Sequence, residues 1–158
     1  MISKMDKTTT EYYKRLVQPK FMDFFSNKDS EYMAFDGVSQ AYYIGIAEEF
    51  VSTLYSRDLK CDYDDLYRVF KNKENWLFVD TLAALSDEFI SSLTAIQVVT
   101  LFGEMAHKEL FCDGFIELCG KTGTIIRLLN QLKAKLERSE QITEGEHNEQ
   151  LQRKNKKY

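Results

Sequence analysis

The tripeptide Gly120-Lys121-Thr122 has the residue types that end a phosphate-binding loop. A complete loop has a glycine separated by four residues from the Gly-Lys pair, because its backbone amides must curl around the phosphates. Five residues separate Gly114 from Gly120, and the intervening Phe-Ile-Glu-Leu-Cys has a helical pattern. We therefore predict a helix–turn–helix junction here and no nucleotide cofactor.

A second candidate site combines His107, Cys112 and Cys119, which are residue types that bind zinc. Structural zinc sites use pairs of ligands two to four residues apart and normally need four ligands. The spacings here are five and seven residues, and no fourth ligand lies nearby in the sequence. We predict no metal site. His107 is expected at a helix C-terminus, where a cation is favoured, and the two thiols in the core.

The turn Phe111-Cys112-Asp113-Gly114 has a structural explanation that needs no catalysis. Gly114 can adopt a positive φ at a helix junction, and Asp113 can cap the free amides of the next helix. Phe111 and Cys112 are then expected to be buried.

The elements that position these residues are predicted to be helices, since the chain has one proline and seven glycines. Pro19 cannot lie inside a straight helix, so residues 9–26 form two short helices meeting near Gln18 or one kinked helix. Gly45, within a predicted helix, is expected to be closely packed. Further helices follow from apolar residues spaced at helical intervals or from capping residues; they span residues 38–55, 62–70, 74–85, 86–107, 115–119 and 122–137.

The predicted fold class is therefore all-α, a compact multi-helix bundle. Residues 1–137 form the helical domain. Residues 138–158 form a charged, partly disordered tail, because Gln, Glu, Asn and Lys dominate there.

The same turn, with Gly123-Thr124-Ile125 and the leucines 128, 129 and 132 after it, carries a resemblance. It resembles a bacterial family of small helical domains of unknown function. The signature of that family is a Phe-Cys-(Asp/Glu)-Gly turn followed by a glycine and a Leu-rich closing helix. The family tends to have arginines where His107 and Leu110 stand here. The resemblance implies a helical fold and no particular activity or cofactor.

Composition narrows the function classes. The 158 residues carry a formal net charge of −4, which excludes a broadly basic nucleic-acid binder. The N-terminus has no apolar segment of a secretory signal, and no apolar run is long enough to span a membrane. With three cysteines and no dense spacing, a disulfide framework is not expected, and we predict a cytoplasmic protein.

The abundant aromatic residues suggest a binding surface. The chain has nine tyrosines and eleven phenylalanines, and tyrosine is favoured at interfaces. We predict a non-catalytic module, of bacterial or mobile-element type, that binds another protein or a second copy of itself. The alternative is a small-ligand-binding domain or minor enzyme; its site would comprise His107, Cys112, Asp113, Gly114 and Lys121. DNA binding across Gly120 is disfavoured by the net charge.

Overall fold

The computed structural model describes residues 7–38, 40–56, 64 and 82–138, which are mostly helical, as predicted. A single short antiparallel hairpin interrupts the helices in this described part. The elements in chain order are α1 (Lys7–Leu16), α2 (Pro19–Ser26), β1 (Met33–Phe35), β2 (Ala41–Tyr43), α3 (Gly45–Leu54), α4 (Asp87–Ser91), α5 (Ala95–Glu109), α6 (Phe115–Lys121) and α7 (124–138).

The N-terminal segment forms two helices, α1 and α2, that meet at Gln18. Pro19 occupies the first turn of α2, where its missing N–H is not needed. The first of the two predicted arrangements is therefore confirmed.

The prediction of one helix over residues 38–55 is wrong in its first third. Ala41–Tyr43 is instead β2, which pairs with β1 in the register Met33–Tyr43, Ala34–Tyr42 and Phe35–Ala41. The Asp36 carboxylate accepts the Val38 amide (2.9 Å), which closes the turn between the strands. The helix starts only at Gly45, whose φ is 54° and whose surroundings are open, so the close packing expected there is absent.

The predicted helix over residues 86–107 is divided into α4 and α5. Ser86, the first residue of that predicted helix, caps α4, since its side chain accepts the Phe89 amide. The chain then leaves the helix, and Thr94 begins α5 with a capping box in which Thr94 and Gln97 satisfy each other's backbone amides. A second good N-cap inside an apolar pattern thus separates the helices.

Helix α6 continues through Gly120, which was predicted to end it. The helix runs to Lys121, and the left-handed residue that follows is Gly123 (φ 80°). Glycine is needed at position 120 because a Cβ there would lie 2.6 Å from Tyr32 Cε1. Gly120 is therefore a site of close packing between α6 and the residue preceding β1.

One apolar core joins the described helices. Its aromatic centre is Phe50, which makes edge-on contacts with Phe21, Phe25 and Phe102 at centroid distances of 4.7–5.7 Å. Helix α5 is buried along most of its length, and leucines of α7 are fully buried in the same cluster. This core packs α3 and α6 against α5 and so positions the candidate site.

Helix α7 is tied to the segment before α4 by polar contacts. Arg127 donates to the Leu85 carbonyl (2.7 Å) and to the Asp87 carboxylate (2.8 Å), while Thr124 donates to the Ala83 carbonyl (2.8 Å). Two of these bonds satisfy the backbone carbonyl groups of Leu85 and Ala83.

Some predictions concern residues outside the described ranges. These are the helix over residues 62–70, nearly all of the helix over residues 74–85, and the tail after residue 138. Every helix in the described ranges is too short or too polar to cross a bilayer.

Candidate functional site

Glu109, the last residue of α5, is the centre of the most polar buried arrangement near the predicted site. Its Oε2 accepts the amides of Gly114 (2.8 Å) and Phe115 (3.3 Å), and its Oε1 accepts the amide of Ile116 (3.3 Å). These are free N–H groups at the start of α6, where the helix dipole favours a negative charge. Gly114 permits this reversal of the chain because its φ is 84°.

Tyr43 of β2 links the hairpin to the same carboxylate. Its hydroxyl donates to Glu109 Oε1 and accepts the amide of Glu117 (3.1 Å). On the same face of the hairpin, Met33 Sδ lies 3.8 Å from where a Cβ on Gly114 would be. Glu109 therefore joins three elements: the end of α5, the start of α6 and β2. We call this arrangement the Glu109 junction.

Burial and the nearby Glu109 carboxylate raise the pKa values of tyrosine and cysteine side chains around the Glu109 junction. Burial, together with the hydrogen bond to Glu109, raises the pKa of Tyr43 far above its ordinary value. Burial and the charge of Glu109 also raise the pKa of Tyr55, whose hydroxyl donates to the Ala106 carbonyl (2.8 Å). The same two causes raise the pKa of Cys119 to about 12. These groups therefore stay neutral around the carboxylate at neutral pH.

The geometry of the Glu109 junction indicates a structural role. Each carboxylate oxygen already accepts two hydrogen bonds, three of them from backbone amides that α6 needs to have satisfied. A general base requires an oxygen that can reach a substrate proton. Glu109 is thus a helix cap and a tie between elements, and it supports no proton-transfer chemistry in this arrangement.

The predicted roles of three turn residues are wrong. Asp113 is exposed and does not cap α6, because Glu109 occupies that position from the preceding helix. Phe111 is 81% exposed, and Cys112 is also exposed rather than buried. The Cys112 amide donates to the Lys108 carbonyl (2.9 Å), so the chain continues one helical turn past α5 and leaves the middle of the segment exposed.

The remaining predicted site residues lie in different settings. His107 is in the last turn of α5, as expected, and its ring contacts Phe111 at 5.5 Å between centroids. Lys121 donates to the Ser30 carbonyl (3.2 Å) and lies over the Tyr32 ring, 5.1 Å from its centroid. Lys121 therefore holds α6 against the segment before β1, on contacts that do not involve His107. Cys119 is buried, as predicted.

Glu109 and Tyr43 were not identified from the sequence as site residues. Glu109 continues the buried stripe of Phe102, Met105 and Ala106 at helical spacing. A glutamate in a buried position of such a stripe is rarely stable without hydrogen-bonding partners. The position of Glu109 in the stripe was therefore the feature of the sequence that could have identified it as a site residue. Tyr43 carried no comparable signal, because its partner lies 66 residues away.

Large apolar side chains are exposed on both sides of the Glu109 junction. On the hairpin, Phe35 is 67% exposed and Val38 and Tyr42 are also exposed. On the turn and α6, the exposed residues are Leu110, Phe111 and Leu118. We call these six residues the apolar rim. Of the large exposed apolar residues in the described ranges, only Tyr55 lies outside this set.

Comparison with protein families, curated proteins and solved structures finds no match to the chain. The resemblance to a bacterial helical family stays a prediction. Within the described residues, no three His, Cys, Asp or Glu side chains are grouped closely enough to hold a metal ion.

The two described cysteines are expected to differ strongly in reactivity. The thiol of Cys119 is buried and has a pKa of about 12, whereas Cys112 is exposed, and only thiolates react with alkylating agents. In the folded protein at pH 8, iodoacetamide should modify Cys112 at least about tenfold faster than Cys119. Peptide mass spectrometry of timed samples measures both rates, and in urea the two should converge. Equal rates in the folded protein would contradict the burial of Cys119.

Proposed function

We propose that this chain is a non-catalytic protein-interaction module that binds its partner through the apolar rim. The observation that supports this proposal is the position of the six exposed residues. They are on the hairpin, on the turn after α5 and on α6, which the Glu109 junction holds together; within the hairpin, Phe35 and Tyr42 point to opposite faces. Groups of exposed large apolar residues are typical of interaction sites.

The attachment of the rim elements to the buried core is a second argument. A surface held by a buried carboxylate and a packed core loses little conformational entropy on binding, which favours affinity. Aromatic residues such as Phe35, Tyr42 and Phe111 are also the residue types that dominate binding energy at interfaces. We propose the cytoplasm as the compartment in which binding occurs.

The alternative, a ligand site formed by His107, Cys112, Asp113, Gly114 and Lys121, has less support. The buried carboxylate that contacts this set is Glu109, which accepts the Gly114 amide and whose oxygens are used by the cap. Lys121 contacts Ser30 and Tyr32 instead of the turn. A thermal-shift panel of nucleotides, metals and metabolites tests this alternative, since a bound ligand raises the melting temperature.

The test of the proposed function is a quantitative capture experiment with two matched double variants. Phe35→Ser combined with Phe111→Ser removes two aromatic side chains from the rim. Ser52→Ala combined with Lys133→Ala changes exposed positions away from it. Tagged wild type and both variants are incubated with lysate of the source cells, and captured proteins are quantified by mass spectrometry.

We expect at least one protein that the wild type and the control variant retain equally and that the rim variant loses about tenfold or more, which corresponds to about 1.4 kcal/mol of binding energy. Circular dichroism must show that both variants keep the helical fold. If every captured protein is retained equally by the rim variant, the proposed function is wrong.

A further inference from the structure

The hairpin has one edge whose backbone groups are available for pairing. The bonds from the Asp36 amide to the Gln40 carbonyl and from the Ile44 amide to the Tyr32 carbonyl fix the alternation of the ladder. Ala34 and Tyr42 therefore form the hydrogen-bonded pair between the strands. The N–H and C=O groups of Met33 and Phe35 consequently point outward from β1.

Exposure does not distinguish the two edges, since Phe35 is exposed on β1 and Ala41 and Tyr42 are exposed on β2, but their packing partners do. Strand β2 lies against α3, which follows it directly, whereas the main packing partner of β1 is β2. In the described part of the chain, no hydrogen bond uses the outward groups of Met33 or Phe35. Unpaired strand edges of this kind accept additional strands.

The charges around β1 define what kind of strand would fit. The strand itself is Met-Ala-Phe, and it is preceded by Glu31 and followed by Asp36, both exposed. Asp113 and Glu117 add negative charge at the Gly114 turn, which Met33 approaches. The cation Lys121 also lies at the N-terminal end of β1, where it contacts the Ser30 carbonyl and the Tyr32 ring. An added strand therefore meets an apolar centre with an excess of acidic residues, which flank both ends of β1.

We propose that β1 binds, along its outer edge, an extended segment of a partner protein with an apolar centre and Lys or Arg at both ends. This inference rests on the proposed function and names the chemistry of the partner. A second copy of this chain fits less well. Antiparallel pairing of β1 with itself about Ala34 brings Glu31 and Asp36 of the two copies to the same ends, where like charges repel.

The experiment uses the full chain and the synthetic peptide Lys-Lys-Val-Thr-Val-Thr-Val-Lys-Lys. Binding is measured by isothermal titration calorimetry, and amide hydrogen exchange is followed by NMR. We expect saturable binding and slowed exchange of the Met33 and Phe35 amides. The amide of Ala34, which already pairs with Tyr42, should change little. A peptide with glutamate in place of lysine should bind at least about tenfold more weakly, because its acidic ends are repelled by the acidic residues that flank β1.

Two proline variants distinguish the edges. Phe35→Pro removes an outward N–H of β1, and Ala41→Pro removes an outward N–H of β2; proline is tolerated at such edge positions. We expect binding to fall about tenfold or more in the first and to change less than about twofold in the second. Because Phe35→Pro also removes a side chain, the peptide is tested with N-methyl groups on either set of alternate residues. Methylation of one set should abolish binding, and methylation of the other should not.

Several results would overturn the inference. One is the absence of peptide binding at millimolar concentration. The others are equal binding of both N-methylated peptides and a loss of peptide binding in Ala41→Pro alone. Sedimentation showing that the free chain dimerises through β1, with the dimer lost in Phe35→Pro, would identify a second copy as the occupant instead. In each case the capture experiment decides the proposed function separately, because that test depends on side chains of the apolar rim and on native partners.

Discussion

Glu109→Ala should lower the free energy of unfolding by about 3 kcal/mol, because it removes the acceptor of several buried donors at once. The amides of Gly114, Phe115 and Ile116 would lose their partner, and so would the hydroxyl of Tyr43. The loss should separate the hairpin from α6 as well as destabilise the helix start. Urea denaturation followed by circular dichroism measures the change.

Asp113→Ala is the matched control for this prediction. Sequence patterns predict Asp113 as the cap of α6, but its side chain is exposed and the cap is Glu109. Its substitution should cost no more than about 0.5 kcal/mol, as for other exposed positions without special contacts. A larger loss in Asp113→Ala than in Glu109→Ala would show that the cap is assigned to the wrong carboxylate.

Gly120→Ala should destabilise the protein by about 2 kcal/mol, although alanine is the better helix former. Gly120 lies within α6 and is buried, and a Cβ there would lie 2.6 Å from Tyr32 Cε1. The Tyr32 ring is 3% exposed and packs edge-on against Phe24 (4.9 Å between centroids), so it has little room to move. Thermal and urea denaturation both report the loss.

A double-mutant cycle with Tyr32→Leu tests the cause. A smaller side chain at position 32 removes the overlap, so Gly120→Ala in that background should be neutral or stabilising by up to about 1 kcal/mol. The Gly120→Ala penalty would then depend on the aromatic ring. An equal penalty in both backgrounds would mean that the close approach of α6 to Tyr32 is not its source.

Local signals were sufficient for many of the helices. Pro19 predicted the boundary between α1 and α2, and Ser86 predicted the start of α4, because both act on backbone groups within one turn. The apolar spacing in α5 and α7 predicted buried faces for the same reason: the period of a helix is fixed by its geometry.

The break at Thr94 had a local signal, the capping box of Thr94 and Gln97, whereas the hairpin could not be predicted from local spacing. Tyr43 has helical spacing relative to Ile46, Ala47 and Phe50, so the pattern favours helix even where the chain forms a strand. The strand is stabilised instead by pairing with β1 and by the hydrogen bond from Tyr43 to Glu109. Both interactions involve residues outside the local sequence pattern.

The sequence by itself therefore determined the helical class, the cap of α4 and most of the buried stripe, since these depend on interactions between residues a few positions apart. The tertiary structure alone decided which carboxylate caps α6, why residue 120 must be glycine, and that Phe111 and Cys112 face outward. Those outcomes depend on the direction of chain reversal after α5 and on contacts with Tyr32 and Tyr43, and no local pattern encodes contacts between residues so far apart.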